Sequence, residues 1–191
     1  MKRFIFSVCI TLTSISLFAQ KESFTLRPDG SFKNRSNQKN YVIVQVPGIS
    51  QQELYHNFLV VLQHKCIALE GQYAVVPDKS INIYRHESKI NFRTGGFWGS
   101  AAFNGYLYYK FLFQFRDGQV RIEAPIVDHL GSPYTKSESY MQFNEVLDYM
   151  GLFDKDGNVK EKKREAVEKL EDDANSILTD IINSVSDNMK W

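Results

Sequence analysis

The chain has few residues that brace a fold covalently or locally, with two cysteines and five prolines in 191 residues. Cys9 sits inside an N-terminal apolar run, so removal of that run leaves Cys66 alone and no intramolecular disulfide can form. An excess of one charge is also missing: 23 Lys and Arg stand against 22 Asp and Glu, which provides no polycationic surface for a nucleic acid. No uninterrupted apolar stretch reaches the roughly 18 residues of a membrane-spanning helix, because Ser7, Thr11, Thr13, Ser14 and Ser16 break residues 4–18. There is no internal repeat. Stability therefore has to come from burial in a hydrophobic core.

The N-terminus instead carries a secretory pattern. Lys2 and Arg3 precede the apolar run, and Leu17-Phe18-Ala19 ahead of Gln20 forms a small-residue cleavage site. Residues 1–19 are expected to be a cleaved signal peptide, leaving no transmembrane helix. A lipid tether would need a cysteine at the cleavage point, and Cys9 comes too early. Loss of Lys2 and Arg3 lowers 23 basic residues to 21 against 22 acidic ones, a formal charge of −1. The expected location is the periplasm, or the cell surface and extracellular space. The remaining length, about 170 residues, suits one core and one domain.

Residues 20–40 are polar, with Phe24, Leu26 and Phe32 as their apolar anchors, and read as a flexible leader arm. From Tyr41, alternating Val42, Val44 and Val46 make a strand ended by Pro47-Gly48. Ser50 and Glu53 form a capping box with Ile49 and Leu54 as staple, opening a helix whose apolar face is Leu54, Phe58, Val61 and Leu62. Residues 80–86 and 89–94 alternate as strands, with Glu87-Ser88 read as a hairpin turn between them. A Gly-rich link, 95–105, leads into the strongest strand, 106–116. Asp117-Gly118 is a favoured type I′ loop and turns it back into 119–126. That register sets Arg116 opposite Gln119, Phe115 opposite Val120, Phe113 opposite Ile122 and Phe111 opposite Ala124.

Residues 128–139 read as a polar loop, 140–152 as a short helix and 154–158 as a turn. A long helix over about 161–188 places Ala166, Val167, Leu170, Ala174, Ile177, Leu178, Ile181, Ile182 and Val185 on one face, with Glu165 and Lys169 paired at i, i+4. The expected fold class is α+β. An antiparallel sheet of about five strands carries a capped helix after strand 1 and the long C-terminal helix on one face, all within residues 41–191.

Two segments, Val44-Gln45-Val46-Pro47-Gly48-Ile49-Ser50-Gln51-Gln52-Glu53-Leu54-Tyr55 and Phe113-Gln114-Phe115-Arg116-Asp117-Gly118-Gln119-Val120-Arg121-Ile122, resemble domain-of-unknown-function family 4468. With them comes the order of elements over about residues 41–128. The resemblance implies a TBP-like fold with helices on one side of an antiparallel sheet, in secreted or envelope proteins of Gram-negative bacteria. It implies no known activity and brings no catalytic residues. A TBP-like fold invites a DNA-binding reading, but a fold does not confer a function, and an exported chain of near-zero charge lacks the Lys and Arg excess that phosphate demands.

Catalytic and metal chemistry find little support. His56 and His64 share a helix but lie about 80° apart and two turns distant, so one ion cannot bridge them easily. His86-Glu87 and Asp128-His129 have no second ligand at zinc spacing. Gly157 in Asp154-Lys155-Asp156-Gly157-Asn158 comes two positions early for a calcium loop. Gly95-Gly96-Phe97-Trp98-Gly99-Ser100 precedes a strand rather than the helix that a phosphate cradle requires. Cys66 and His64 fall on different helix faces, and no Ser-His-Asp order or nucleophile elbow is recognisable. No cofactor, metal or enzymatic activity is expected.

Aromatic side chains are the more informative feature. Tyr106, Tyr108, Lys110 and Leu112 share the strand face opposite the core, and Phe97, Trp98 and Phe103 lie in the Gly-rich link, where they can act as a flap. The leading expectation is a noncatalytic binding or assembly module that meets a protein, glycan or apolar small molecule through these residues. The alternative is a lipid or small-molecule carrier with an apolar cavity lined by Phe111, Phe113 and Phe115 beneath the C-terminal helix. A hydrolase without a recognisable motif ranks third.

Overall fold

The computed structural model describes residues 23–68, 72–76, 80–94, 101–131 and 142–189; residues 1–19, expected to be a signal peptide, and Phe97 and Trp98 lie outside them. In chain order the elements are β1 (Phe24–Leu26), β2 (Phe32–Asn34), β3 (Tyr41–Gln45), α1 (Gln51–Ala68), β4 (Gln72–Val76), β5 (Ser80–Thr94), β6 (Ala101–Arg116), β7 (Gln119–Glu123), β8 (Ile126–Gly131), α2 (Phe143–Met150) and, after a 3₁₀ turn at Glu161–Lys163, α3 (Arg164–Asn188).

β6 organises the sheet. Leu107, Tyr109, Phe111, Phe113 and Phe115 are buried on one face, while Tyr106, Tyr108, Lys110, Leu112 and Gln114 are half-buried on the other, as the period of two requires. β5 runs antiparallel along one edge of β6, and β7 and β8 share the other edge in turn. With β3 outside β7 and β4 outside β5, the order is β3-β7-β6-β5-β4, with β8 beside β6. The antiparallel α+β architecture is as expected, but the sheet has six strands rather than about five.

Two strands were not expected, β4 before residue 80 and β8, which runs through the span read as a polar loop to Gly131, and they outnumber the one lost where the two strands expected over 80–94 form one. Arg116, Phe115 and Phe113 face Gln119, Val120 and Ile122 as the Asp-Gly loop dictates. Beyond Ile122 the strand breaks at Ala124-Pro125 and resumes with Ile126 opposite Lys110, so the expected Phe111–Ala124 pair is replaced. Proline cannot donate to a ladder, which is why the break falls there.

Two further expectations are corrected. Residues 80–94 form one continuous strand, with no turn at Glu87-Ser88. The register slips by one residue between Ile83 and His86, a bulge that changes which parity faces the helices. Ile81 points to the core before it, and Ile90 after it. The same change of parity in the sequence mimics a turn. The Asp117-Gly118 loop is also not type I′, which needs positive φ at both residues: Gly118 has φ +70° and Asp117 is not in the positive region. The tip is instead tied to the start of α1. Gly118 N–H donates to the Ile49 carbonyl at 2.8 Å and Val46 N–H to the Gly118 carbonyl at 2.7 Å. Asp117 Oδ1 accepts from Gln51 N–H at 2.8 Å, capping α1 together with Ser50 Oγ, which accepts from Glu53 N–H at 3.3 Å.

α1 and α3 cover the phenylalanine face. Phe58 packs its ring 5.3 Å from Phe113 and 5.1 Å from Phe115, and all nine apolar positions anticipated along α3 are buried. α2 closes one end through Val146 and Leu147, against Leu107, Leu130 and Leu170.

The expected leader arm is not loose after Ser23. β1 and β2 pair as a hairpin, with Phe24, Leu26 and Phe32 at 1–3% exposure. Side chains of α3 hold its outer edge. Asn175 Oδ1 accepts from Phe24 N–H at 2.8 Å and Asn175 Nδ2 donates to the Phe24 carbonyl at 2.9 Å. One turn away, Glu171 Oε1 accepts from Leu26 N–H at 2.9 Å and Thr25 Oγ1 at 2.6 Å, and its other oxygen accepts from Arg35 at 2.8 Å. Three apolar anchors suffice because these polar groups satisfy the strand's backbone. Asn175→Ala leaves both polar groups of Phe24 unpaired. It is expected to cost about 2 kcal/mol in urea unfolding and to speed proteolytic cleavage within residues 24–34; unchanged cleavage would show that the apolar anchors alone hold the hairpin.

Candidate functional site

All three helices lie on the phenylalanine side, so among the described residues no helix covers the opposite face of the sheet. Tyr106, Tyr108, Lys110 and Leu112 line up there along β6, as expected from alternation, and each is half-buried. Lys110 Nζ lies 2.6 Å from Asp128 Oδ1. Tyr108 lies across Gly131 of β8, where a Cβ would come within 2.9 Å of its ring; this is the close approach that requires glycine there. Phe103 belongs to β6 opposite Phe92, not to a free link. Phe97 and Trp98 lie outside the described residues, so the flap reading has no structural counterpart to report.

The other end of the same face was not singled out from sequence. There Tyr41, Ile43, Gln114, Arg116, Gln119 and Arg121 surround a cavity of about 580 Å³. Arg121 stacks on the Tyr41 ring at 4.0 Å, and its Nε lies 2.6 Å from Glu123 Oε1. The available signal was in the hairpin register, which places Arg121 opposite Gln114 and Arg116 opposite Gln119. A second depression, of about 730 Å³, follows the break at Ala124-Pro125 between the turn of the β1–β2 hairpin and the start of α2. Its charged groups are of both signs, Asp29, Lys33, Lys110 and Asp128 among them.

On the helix side one polar group stands out. Asp173 of α3 accepts from Tyr109 OH at 2.8 Å and from Ser88 Oγ at 2.5 Å. Burial pushes the Asp173 carboxyl above its ordinary value against the lowering effect of those two hydroxyls. The Tyr109 phenol is driven well upward, first by burial and then by the adjacent carboxylate. This constellation joins sheet to helix and opens on neither cavity's lining.

Phe111, Phe113 and Phe115 do not share one apolar cavity beneath α3: Phe111 borders the depression beside Pro125, Phe115 borders the one beside Arg116, and Phe113 borders neither. Phe113 and Phe115 pack on Phe58, and Phe111 on Tyr109 at 5.9 Å; all three are at most 3% exposed. Among the described residues no three His, Cys, Asp or Glu converge as a metal-ligand set, and no helix is long and apolar enough to cross a membrane.

Among solved structures, a DUF4468 family protein from Bacteroides ovatus ATCC 8483 is similar in fold, with a TM-score of 0.55 over 76% of this chain and 84% of that one at 13% identity. A TBP-like protein from Parabacteroides distasonis ATCC 8503 gives 0.49 over 76% of this chain and 90% of that one at 12% identity. No protein-family model matches the sequence, and no curated protein matches it. The likeness to the DUF4468 protein bears out the family resemblance at the level of the fold.

Two outcomes test the site's geometry. Gly131→Ala is expected to displace the Tyr108 ring, seen as a shift of its aromatic NMR signals and a loss of about 1–2 kcal/mol in stability; an unmoved ring would remove the close-approach argument. For Asp173 the sign follows from its raised folded-state value. The native chain holds this proton more tightly, so the contribution to stability is full below the unfolded value of 3.8 and is lost as pH rises through the folded value. Asp173→Asn should therefore compare better with the parent at pH 7 than at pH 4 in paired urea melts. A pH-independent difference would mean that the carboxyl titrates normally.

Proposed function

We propose that this chain is a noncatalytic binding or assembly module of the periplasm or cell surface, engaging its partner through the uncovered face of the sheet. The observation that carries this reading is the asymmetry of the sheet. Three helices crowd one face, while the other presents Tyr106, Tyr108 and Leu112 half-buried in line with Gln114 and Arg116. Rigid aromatic groups on a preformed sheet offer contact area at low entropic cost, the pattern of interface anchors. Export is supported by the basic start, interrupted apolar run and Ala19-Gln20 junction of the sequence.

Two measurements test it together. Mass spectrometry of the protein recovered from the cell envelope is expected to find Gln20 as the first residue; an intact Met1 would sink the export reading. The double variant Tyr106→Ala, Leu112→Ser is expected to keep the parent's melting temperature within a few degrees and to lose the protein captured from envelope extracts by the parent. Capture unchanged by this variant would move the binding surface elsewhere.

A further inference from the structure

Resting on the reading of the uncovered sheet face as a binding surface, we propose that its Arg–Gln end is a site for a carboxylate-bearing saccharide. Arg121 lies opposite Gln114, and Arg116 opposite Gln119. The four Cβ positions thus make a square on the open face, with the two arginines on one diagonal and the two glutamines on the other, and the Arg121 guanidinium leans from its corner over Tyr41 of β3. Directly opposed Cβ atoms on such a pair stand about 5 Å apart and diagonal ones about 7 Å, a span matching the carboxylate and neighbouring hydroxyls of one sugar ring. Tyr41 fixes the Arg121 guanidinium by stacking, and Ser80 lies across β6 from β7 on the same cavity wall.

Charge and hydrogen-bonding capacity select the ligand. The cavity lining contains two arginines and no acid; Glu123, paired with Arg121 Nε, stands just outside it. Among the described residues the side chains of Arg116, Gln114 and Gln119 make no hydrogen bond or ion pair, so their donors and acceptors are available. The guanidinium forks suit a carboxylate. The carboxamides and the Ser80 hydroxyl both donate and accept, which suits sugar hydroxyls. A phosphate or sulfate, carrying acceptors only, would leave the amide carbonyls unused. The volume of about 580 Å³ accommodates one or two sugar rings and lies within the ordinary range of ligand sites.

Calorimetric titration of the mature chain against trigalacturonate, sialyllactose, their neutral counterparts galactotriose and lactose, and inorganic phosphate tests this. At least one acidic saccharide is expected to bind at least about ten-fold more tightly than its neutral counterpart and than phosphate. Arg116→Gln and Arg121→Gln are each expected to weaken that binding about ten-fold, with Arg116→Gln leaving the melting temperature unchanged because Arg116 is exposed. Absence of binding across the acidic sugars, equal affinity for neutral ones, equal affinity for phosphate, or retention in the double arginine variant each overturns the proposal. If the acidic sugars fail while Tyr106→Ala, Leu112→Ser still abolishes partner capture, the saccharide site falls and the module reading stands. If the sugars bind while capture survives that variant, the face stands as a saccharide site and the captured protein is held elsewhere.

Discussion

The fold depends on the unbroken alternation of β6. From Leu107 to Phe115 every second residue is buried toward the helices, and both neighbouring edges are forced to comply with it. On one side β5 needs an extra residue between Ile83 and His86 to keep its apolar groups inward. On the other, the return chain breaks at Ala124-Pro125 and resumes as β8. Irregularities on the neighbours are thus the means by which one regular strand stays regular. The same alternation produces the open face, since the residues between the inward ones, Tyr106, Tyr108, Lys110, Leu112, Gln114 and Arg116, are sent outward.

Residues whose local chemistry and tertiary role coincide were legible in the sequence. The α3 face, the Ser50 half of the α1 cap and the Arg116–Gln119 register follow from periodicity, capping and loop length, and the structure repeats them. Residues whose role is set by a distant partner were not. Phe24, Leu26 and Phe32 look sparse for an anchored segment because their supporting groups, Glu171 and Asn175, lie about 150 positions away. The change from odd to even apolar positions after Ile83 was visible, but a bulge and a turn produce the same pattern, and only the presence of a long neighbouring strand decides between them.

The open face was legible in part. Alternation placed Tyr106, Tyr108, Lys110 and Leu112 together, yet it could not show that Lys110 is engaged by Asp128 or that Tyr108 is seated on Gly131. The Arg–Gln square escaped notice because each member is unremarkable alone; it exists only through cross-strand pairing of β6 with β7. Aromatic residues draw attention as anchors, whereas polar groups gain meaning from what they are left free to do.

The carboxamide of Asn175 faces Phe24 as one peptide group faces another in a sheet, donating to its carbonyl and accepting from its N–H. It recognises main chain, so it sets no requirement on the side chain at the position it grips. It does set an order of events. β1 pairs with β2 along one edge, but its other edge is met only by the last helix, 151 positions away at Asn175, so this contact closes one of the longest loops in the fold. The outer edge of β1, among the first parts of the fold to be synthesised, therefore stays unsatisfied until α3 has been made.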